Sequence, residues 1–154
     1  MNIAVTGGSG FVGSHLSENL SKLGHRVTIV DKMKPQTKDI EWIQADFGNL
    51  EDLKSAFSDV DVVYHLGAIA DASLAYKEYK LTFDVNVIGT YNVLEAARLN
   101  NVKRVVYAST IWVYNSALET EVDENTKFTT NTQHVYTTTK FFGEYLCYDF
   151  FNMY

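Results

Sequence analysis

Strand-like and helix-like patterns alternate five times along this chain, and that alternation narrows the possible folds more than any other feature. Asn2–Thr6, Arg26–Val30, Glu41–Ala45, Asp61–Leu66 and Lys103–Ser109 are short runs rich in β-branched and apolar residues, the pattern of strands. After the first run, Val12, Leu16, Leu20 and Leu23 recur at three-to-four spacing, one face of a helix over Phe11–Gly24 that Gly24 stops. Asn49 is placed to cap a short helix through Phe57, with Asp52 in its first turn. One longer helix is expected over Leu81–Asn100 and a last one from about His134 to the end. Strands regularly interleaved with helices predict an α/β fold, a doubly wound parallel sheet. Right-handed crossovers then favour the strand order 3-2-1-4-5. Asp61–Leu66, nearly all apolar, is expected to be buried on both faces. Ligands of such folds sit beyond the carboxyl ends of the strands, near the point where the order reverses.

The first strand runs straight into Thr6-Gly7-Gly8-Ser9-Gly10-Phe11-Val12-Gly13. The glycine set reads as 7, 10 and 13 or as 8, 10 and 13, and either closes a strand and opens a helix. Glycine there allows a tight turn, a close backbone approach to a pyrophosphate, and close packing of helix on strand. The helix N-terminus adds free N–H groups and partial positive charge. Asp31, ending the second strand, offers a carboxylate to two ribose hydroxyls and repels a 2′-phosphate, which favours NAD over NADP. Lys32 and Lys34 stand close to it. Asp46, after the third strand, is a candidate contact for the adenine amino group and equally a capping acid.

A phosphate-binding loop also suits a nucleic-acid partner, and here composition decides. The 154 residues carry a net charge of −6 with a pI near 5.1, which argues against nucleic acid and against an anionic membrane surface. No apolar run approaches the ~18 residues of a membrane helix, and no basic, apolar and cleavable leader precedes the first strand. The single cysteine, Cys147, excludes an internal disulfide and points to a cytoplasmic protein. Set among aromatics, it reads as a small buried hydrophobe. No metal is called for. The length suits one domain, spanning 1–154.

Tyr136 and Lys140 are four apart at the start of the last helix, so their side chains share a face. A free tyrosine titrates near ~10, and a neighbouring ammonium lowers that value toward usefulness as a base. Ser109 and Thr110, at the end of the fifth strand, are both candidates for a hydroxyl that orients a substrate oxygen.

With these motifs assembled, the chain resembles the extended short-chain dehydrogenase/reductase family, in its NAD-dependent epimerase/dehydratase group acting on nucleotide sugars. The resemblance covers essentially all of it: Thr6–Leu16, Asp31, Asp46-Phe47, His65-Leu66-Gly67-Ala68, Asn86–Thr90, Ala108-Ser109-Thr110 with Val113-Tyr114, and Tyr136–Lys140. It implies a Rossmann-like fold and NAD as cofactor, held by Gly7, Gly10, Phe11, Val12, Gly13, Asp31, Asp46, Phe47, Leu66, Gly67, Ala68, Asn86, Ser109, Tyr136 and Lys140. It makes Tyr136 the catalytic acid/base and Lys140 the residue that binds the nicotinamide ribose and tunes Tyr136. Thr110 falls at the catalytic Ser/Thr position, with Ser109 as the alternative. Asn86 matches a helix asparagine that supports the site.

The family's 4,6-dehydratases carry Asp-Glu after the catalytic threonine, whereas Ile111-Trp112 follows it here, so dehydration is not expected. A UDP-sugar 4-epimerase-like activity is the leading reading. A nucleotide-sugar dehydrogenase or reductase, and a non-catalytic dinucleotide-binding module, stand as alternatives. Asn115 replaces the glycine usual after Val-Tyr, and Lys127–Gln133 lacks the family's prolines; both bear on the substrate. Family members run to about twice this length, so the resemblance implies a fold truncated before the C-terminal substrate domain. Phe141, Phe142, Tyr145, Tyr148, Phe150, Phe151 and Tyr154 surround most of the last helix. A helix apolar on nearly all sides expects burial on nearly all sides, and a homodimer through the helices near 81–100 and 134–154 follows as the expectation.

Overall fold

The computed structural model describes residues 1–114, 121–129 and 131–154. Five strands, β1 (Asn2–Thr6), β2 (Arg26–Asp31), β3 (Glu41–Gln44), β4 (Val62–His65) and β5 (Arg104–Tyr107), form one sheet. Every pairing is parallel and the order is β3-β2-β1-β4-β5, as the alternation predicted. The order reverses between β1 and β4, and the carboxyl ends of both strands open on the same edge, at Thr6 and His65.

Alternation along β1 divides the core. Ala4 joins Val30, Leu53, Phe57, Val63, Val93 and Ala97 on one face, beneath α2 (Leu50–Ala56) and α5 (Gly89–Leu99). Ile3 and Val5 point the other way, to Leu20 of α1 (Phe11–Lys22), with Val27 and Val62. Phe57 and Leu53 are fully buried, each worth ~2–3 kcal/mol of apolar transfer. Asn49 caps α2 by accepting from the Glu51 N–H. Gly24, at φ +84°, takes the left-handed turn that stops α1.

One expectation needs correction and two gain detail. β4 is not fully covered: Tyr64 is only half-buried, because its alternate side lies toward the more open α1 face. The expected helix over Leu81–Asn100 is present, as an unbroken helical run from Tyr79 to Leu99 with a π-helical stretch inside it. Two short helices, α3 (Ala72–Lys77) and α4 (Tyr79–Phe83), lead into a π-helical stretch at Asp84–Ile88 before α5 begins. An extra residue in one turn rotates the side chains that follow, and this one sits where Asn86 must face inward. The last helix, α6 (Val135–Met153), is covered on one side and bare on the other, the apolar face that the homodimer expectation leaves for a partner. It packs on α3, α4, α5 and β5 but leaves Tyr145, Tyr148, Phe151 and Tyr154 exposed. Asn115 lies outside the described residues, as does residue 130 within the Lys127–Gln133 stretch.

Candidate active site

Four loops meet where the sheet order reverses. β1 ends at Thr6, and the chain turns at Gly7, whose φ of +69° suits glycine. A Cβ on Gly7 would lie 2.5 Å from the Gly67 nitrogen, so the loops after β1 and β4 touch through bare backbone. A Cβ on Gly13 would meet the Gly7 oxygen at 2.3 Å, and one on Gly8 would press on Ile29 and Val5. Gly10 is different: its nearest neighbour would be the Gly7 oxygen at 3.2 Å, and nothing else would lie within 4 Å. Gly10 also N-caps α1 without a side-chain cap, and no acid occupies the first turn. The leading N–H groups of α1 are therefore open to an anion, beside a cradle that a side chain on the loop glycines would fill. All four glycines have a physical task, so the two readings of the triplet are both partial. Phe11 and Val12 stand exposed at this helix start.

Asp31 closes β2 with its carboxylate fixed by two backbone donors, Ser9 N–H on Oδ2 (3.0 Å) and Met33 N–H on Oδ1 (2.9 Å). It thereby ties the glycine loop to the β2 end. Asp46 accepts from the Gly48 N–H at 2.9 Å and from the Lys32 ammonium at 2.8 Å. The Lys32 hydrogen bond, then that of Gly48, holds the Asp46 carboxyl below the usual carboxylate range. Phe47 lies edge-on to His65 and fills the space a Cβ on Gly67 would need.

Behind the loops runs a buried polar string. His65 Nδ1 is 2.6 Å from the Thr6 hydroxyl and Nε2 is 3.0 Å from that of Thr90. Thr90 spends its proton on the Asn86 carbonyl at 2.6 Å. His65 must then donate from Nε2 and accept at Nδ1. Burial, helped by the Lys140 charge, drives its pKa down to about 3 and keeps it neutral. The Asn86 amide accepts from the Ile69 N–H (2.8 Å) and donates to the Ile69 carbonyl and the Thr139 hydroxyl, each at 3.0 Å. The asparagine expected among the cofactor contacts is thus a brace: it clamps the loop after β4 to α6, and its polar atoms are engaged within the protein.

Lys140 is buried and donates to the Ala108 carbonyl at 2.8 Å, with Nζ 4.8 Å from the Tyr107 ring centroid and 5.9 Å from that of Tyr136. Burial lowers its pKa to about 8. Tyr136 departs from the expected direction: its pKa rises, because burial disfavours the phenolate more than the hydrogen bond from Thr110 favours it. The ammonium is committed to Ala108 rather than aimed at the phenol oxygen. Ser109 and Thr110 part company here. Ser109 bonds to the Glu144 carboxylate on α6, whereas Thr110 pairs with Tyr136. That leaves Thr110 as the hydroxyl beside the tyrosine. Leu66, Gly67 and Ala68 follow β4 along the rim, with Gly67 buried against Gly7. Cys147 is half-buried with its thiol pushed up to about 11 by burial, in keeping with an inert hydrophobe.

The sequence model of the NAD dependent epimerase/dehydratase family matches residues 3–154. The chain belongs to this family. Its relatives include a 3-beta-hydroxysteroid dehydrogenase of Mycolicibacterium neoaurum, 35% identical over 150 residues, covering 92% of this chain and 41% of that protein. A putative UDP-glucose 4-epimerase of Methanocaldococcus jannaschii is 35% identical over 130 residues, covering 80% of this chain and 43% of the relative. Among solved structures, the Thermus thermophilus UDP-glucose 4-epimerase in complex with NAD superposes with a TM-score of 0.91 at 29% identity, covering 100% of this chain and 52% of that one. The chain spans about half the length of the relatives it matches.

Within this family site, sequence reasoning assigned no role to Thr6, Thr90, Thr139 or Gly143. Their signals were available but faint. A Cβ on Gly143 would fall 2.2 Å from the Tyr107 hydroxyl, so this glycine in mid-helix makes room for the ring that Lys140 faces. Among the described residues no cluster of His, Cys, Asp or Glu could hold a metal, and no helix is long and apolar enough to cross a membrane.

Proposed function

We propose that this chain, 1–154 taken as one dinucleotide-binding unit, is the cofactor portion of an NAD-dependent nucleotide-sugar epimerase resembling the UDP-sugar 4-epimerases. The observation that carries this reading is the convergence of Thr110, Tyr136 and Lys140 at the same sheet end as an uncapped glycine-loop helix. The pyrophosphate would rest on the N–H groups following Gly10, and the adenosine ribose on Asp31, with Asp46, Phe47 and Leu66–Ala68 along the rim. A bound nicotinamide dinucleotide supplies reversible hydride acceptance. Thr110 hydrogen-bonds the reacting sugar hydroxyl, and Tyr136 takes that hydroxyl's proton on oxidation and returns it on reduction. Lys140 contributes a buried positive charge beside the site, and the donors it does not spend on Ala108 would reach ribose hydroxyls.

A dehydrogenase or reductase is the second reading, favoured by the steroid dehydrogenase relative at 35% identity. The same residues serve both. With UDP-glucose and NAD in the full-length context, an epimerase yields UDP-galactose without accumulating NADH, and a dehydrogenase accumulates NADH. No turnover together with tight NAD binding would favour a non-catalytic module. The exposed aromatics of α6, with Ile88 and Tyr91 also bare, support a homodimer through the helices near 81–100 and 134–154. A monomer by light scattering at micromolar concentration would refute that. The single cysteine supports a cytoplasmic setting.

A further inference from the structure

We propose that Lys32 and Asp46 form a latch that sets cofactor choice, with Asp46 withholding from the adenosine ribose the one cation next in sequence to Asp31. The proposal rests on the reading of the glycine loop and Asp31 as the dinucleotide seat. A 2′-phosphate arriving at Asp31 meets a carboxylate locked in place by Ser9 and Met33, which cannot swing aside. Its charge would have to be offset by a nearby cation, and lysine on a flexible stem is a capable point-charge phosphate ligand. Lys32 is such a residue, with a side chain 73% exposed.

Its ammonium is drawn instead across the ends of β2 and β3 onto Asp46 Oδ2 at 2.8 Å. Asp46 is a prepared partner: its other oxygen is held by the Gly48 N–H at 2.9 Å, and its own N–H lies 3.3 Å from an Asp52 carboxylate oxygen. The Lys32 charge is thus neutralised on Asp46, across the ends of β2 and β3. The latch discriminates by occupying the cation that would otherwise offset the Asp31 charge.

The test is calorimetric titration of the 154-residue chain with NAD and with NADP at fixed, low ionic strength. The proteins are the parent, Asp46→Asn, Lys32→Met and the double variant. Asp46→Asn keeps an acceptor for the Gly48 N–H but releases the ammonium. NADP affinity relative to NAD should rise about three- to tenfold in Asp46→Asn, the range open to one exposed charge pair and a freed phosphate ligand. In the Lys32→Met background the same substitution should bring less than a third of that gain. An equal gain in both backgrounds would mean that Asp46 acts only by direct repulsion, and would overturn the latch. So would an unchanged ratio in Asp46→Asn. If the parent binds neither dinucleotide, the reading of the loop itself fails and takes the latch with it, an outcome distinct from NAD binding with an unchanged ratio.

Discussion

Replacing Gly13 by alanine should separate the loop's two demands, fold and ligand. Gly13 lies inside α1, where alanine is intrinsically favoured over glycine by ~1 kcal/mol. Its new Cβ, however, would sit 2.3 Å from the Gly7 oxygen and 2.7 Å from the Gly8 Cα. Both neighbours are backbone in a turn whose Gly7 N–H is bonded to the Val30 carbonyl at 3.1 Å, so neither can rotate away. Overpacking of this kind costs ~1–3 kcal/mol, and the rigidity of both partners puts it near the top of that range. Net of the helix gain, the substitution should destabilise by about 2 kcal/mol. With a urea slope of roughly 2 kcal/mol/M for a domain of this size, the midpoint should fall by about 1 M. Urea titration followed by the fluorescence of Trp42 and Trp112 measures this directly. Gly10→Ala supplies the contrast: its Cβ would meet only one atom, at 3.2 Å. Its midpoint should move little, while NAD affinity drops at least tenfold, because the methyl group intrudes on the phosphate approach. A Gly13→Ala protein with an unshifted midpoint would refute the packing argument, and a Gly10→Ala protein with parental NAD affinity would refute the approach argument.

Three further outcomes follow from the site. Tyr136→Phe should lower turnover in the full-length context by about 10²–10⁴, the usual contribution of a positioned acid/base, while NAD affinity stays within about twofold of the parent. His65 is neutral when folded, with a pKa near 3, and titrates near 6.5 when unfolded. The unfolded state therefore binds more protons between those values, and His65's contribution to stability is complete above pH 6.5 and lost as the pH falls. Between pH 6.5 and 4.5, His65→Gln should show a stability slope smaller than the parent's by up to roughly 1.4 kcal/mol per pH unit; equal slopes would contradict a buried neutral histidine. Lys140, its pKa lowered to about 8 by burial, is protonated below that value and loses its charge above it. NAD affinity should decline as the pH rises through 8, and Lys140→Gln should bind more weakly with that decline abolished.

The sheet was legible because each strand carries its own apolar run and each reversal its own punctuation. Asn49 was readable as a cap, and Gly24 as a stop. The π-helical stretch was not, since adding one residue to a turn changes hydrogen-bond register without changing composition. Helix α3 escaped for a related reason. It is six residues long, and Leu74 and Tyr76 stand exposed, so no apolar stripe marks it; Asp71, which caps it by accepting from the Leu74 N–H, was the signal available. In the site, residue identity pointed to Tyr136 and Lys140 but could not reveal where the ammonium bonds. Only the fold shows Lys140 on the Ala108 carbonyl and Ser109 turned toward Glu144. Asn86 likewise needed three-dimensional partners before its part as a clamp could be separated from ligand contact.

The proposed function requires that the open end of α1 and the rims of β2 and β4 form a dinucleotide seat. Backbone amide chemical shifts of the labelled 154-residue chain, followed as NAD is added, test it most directly. The largest saturable changes should fall on Gly7–Gly13, Asp31 to Met33 and Leu66–Ala68, with smaller ones at Thr110 and Tyr136. Changes confined to other surfaces, or none at saturating NAD, would contradict it.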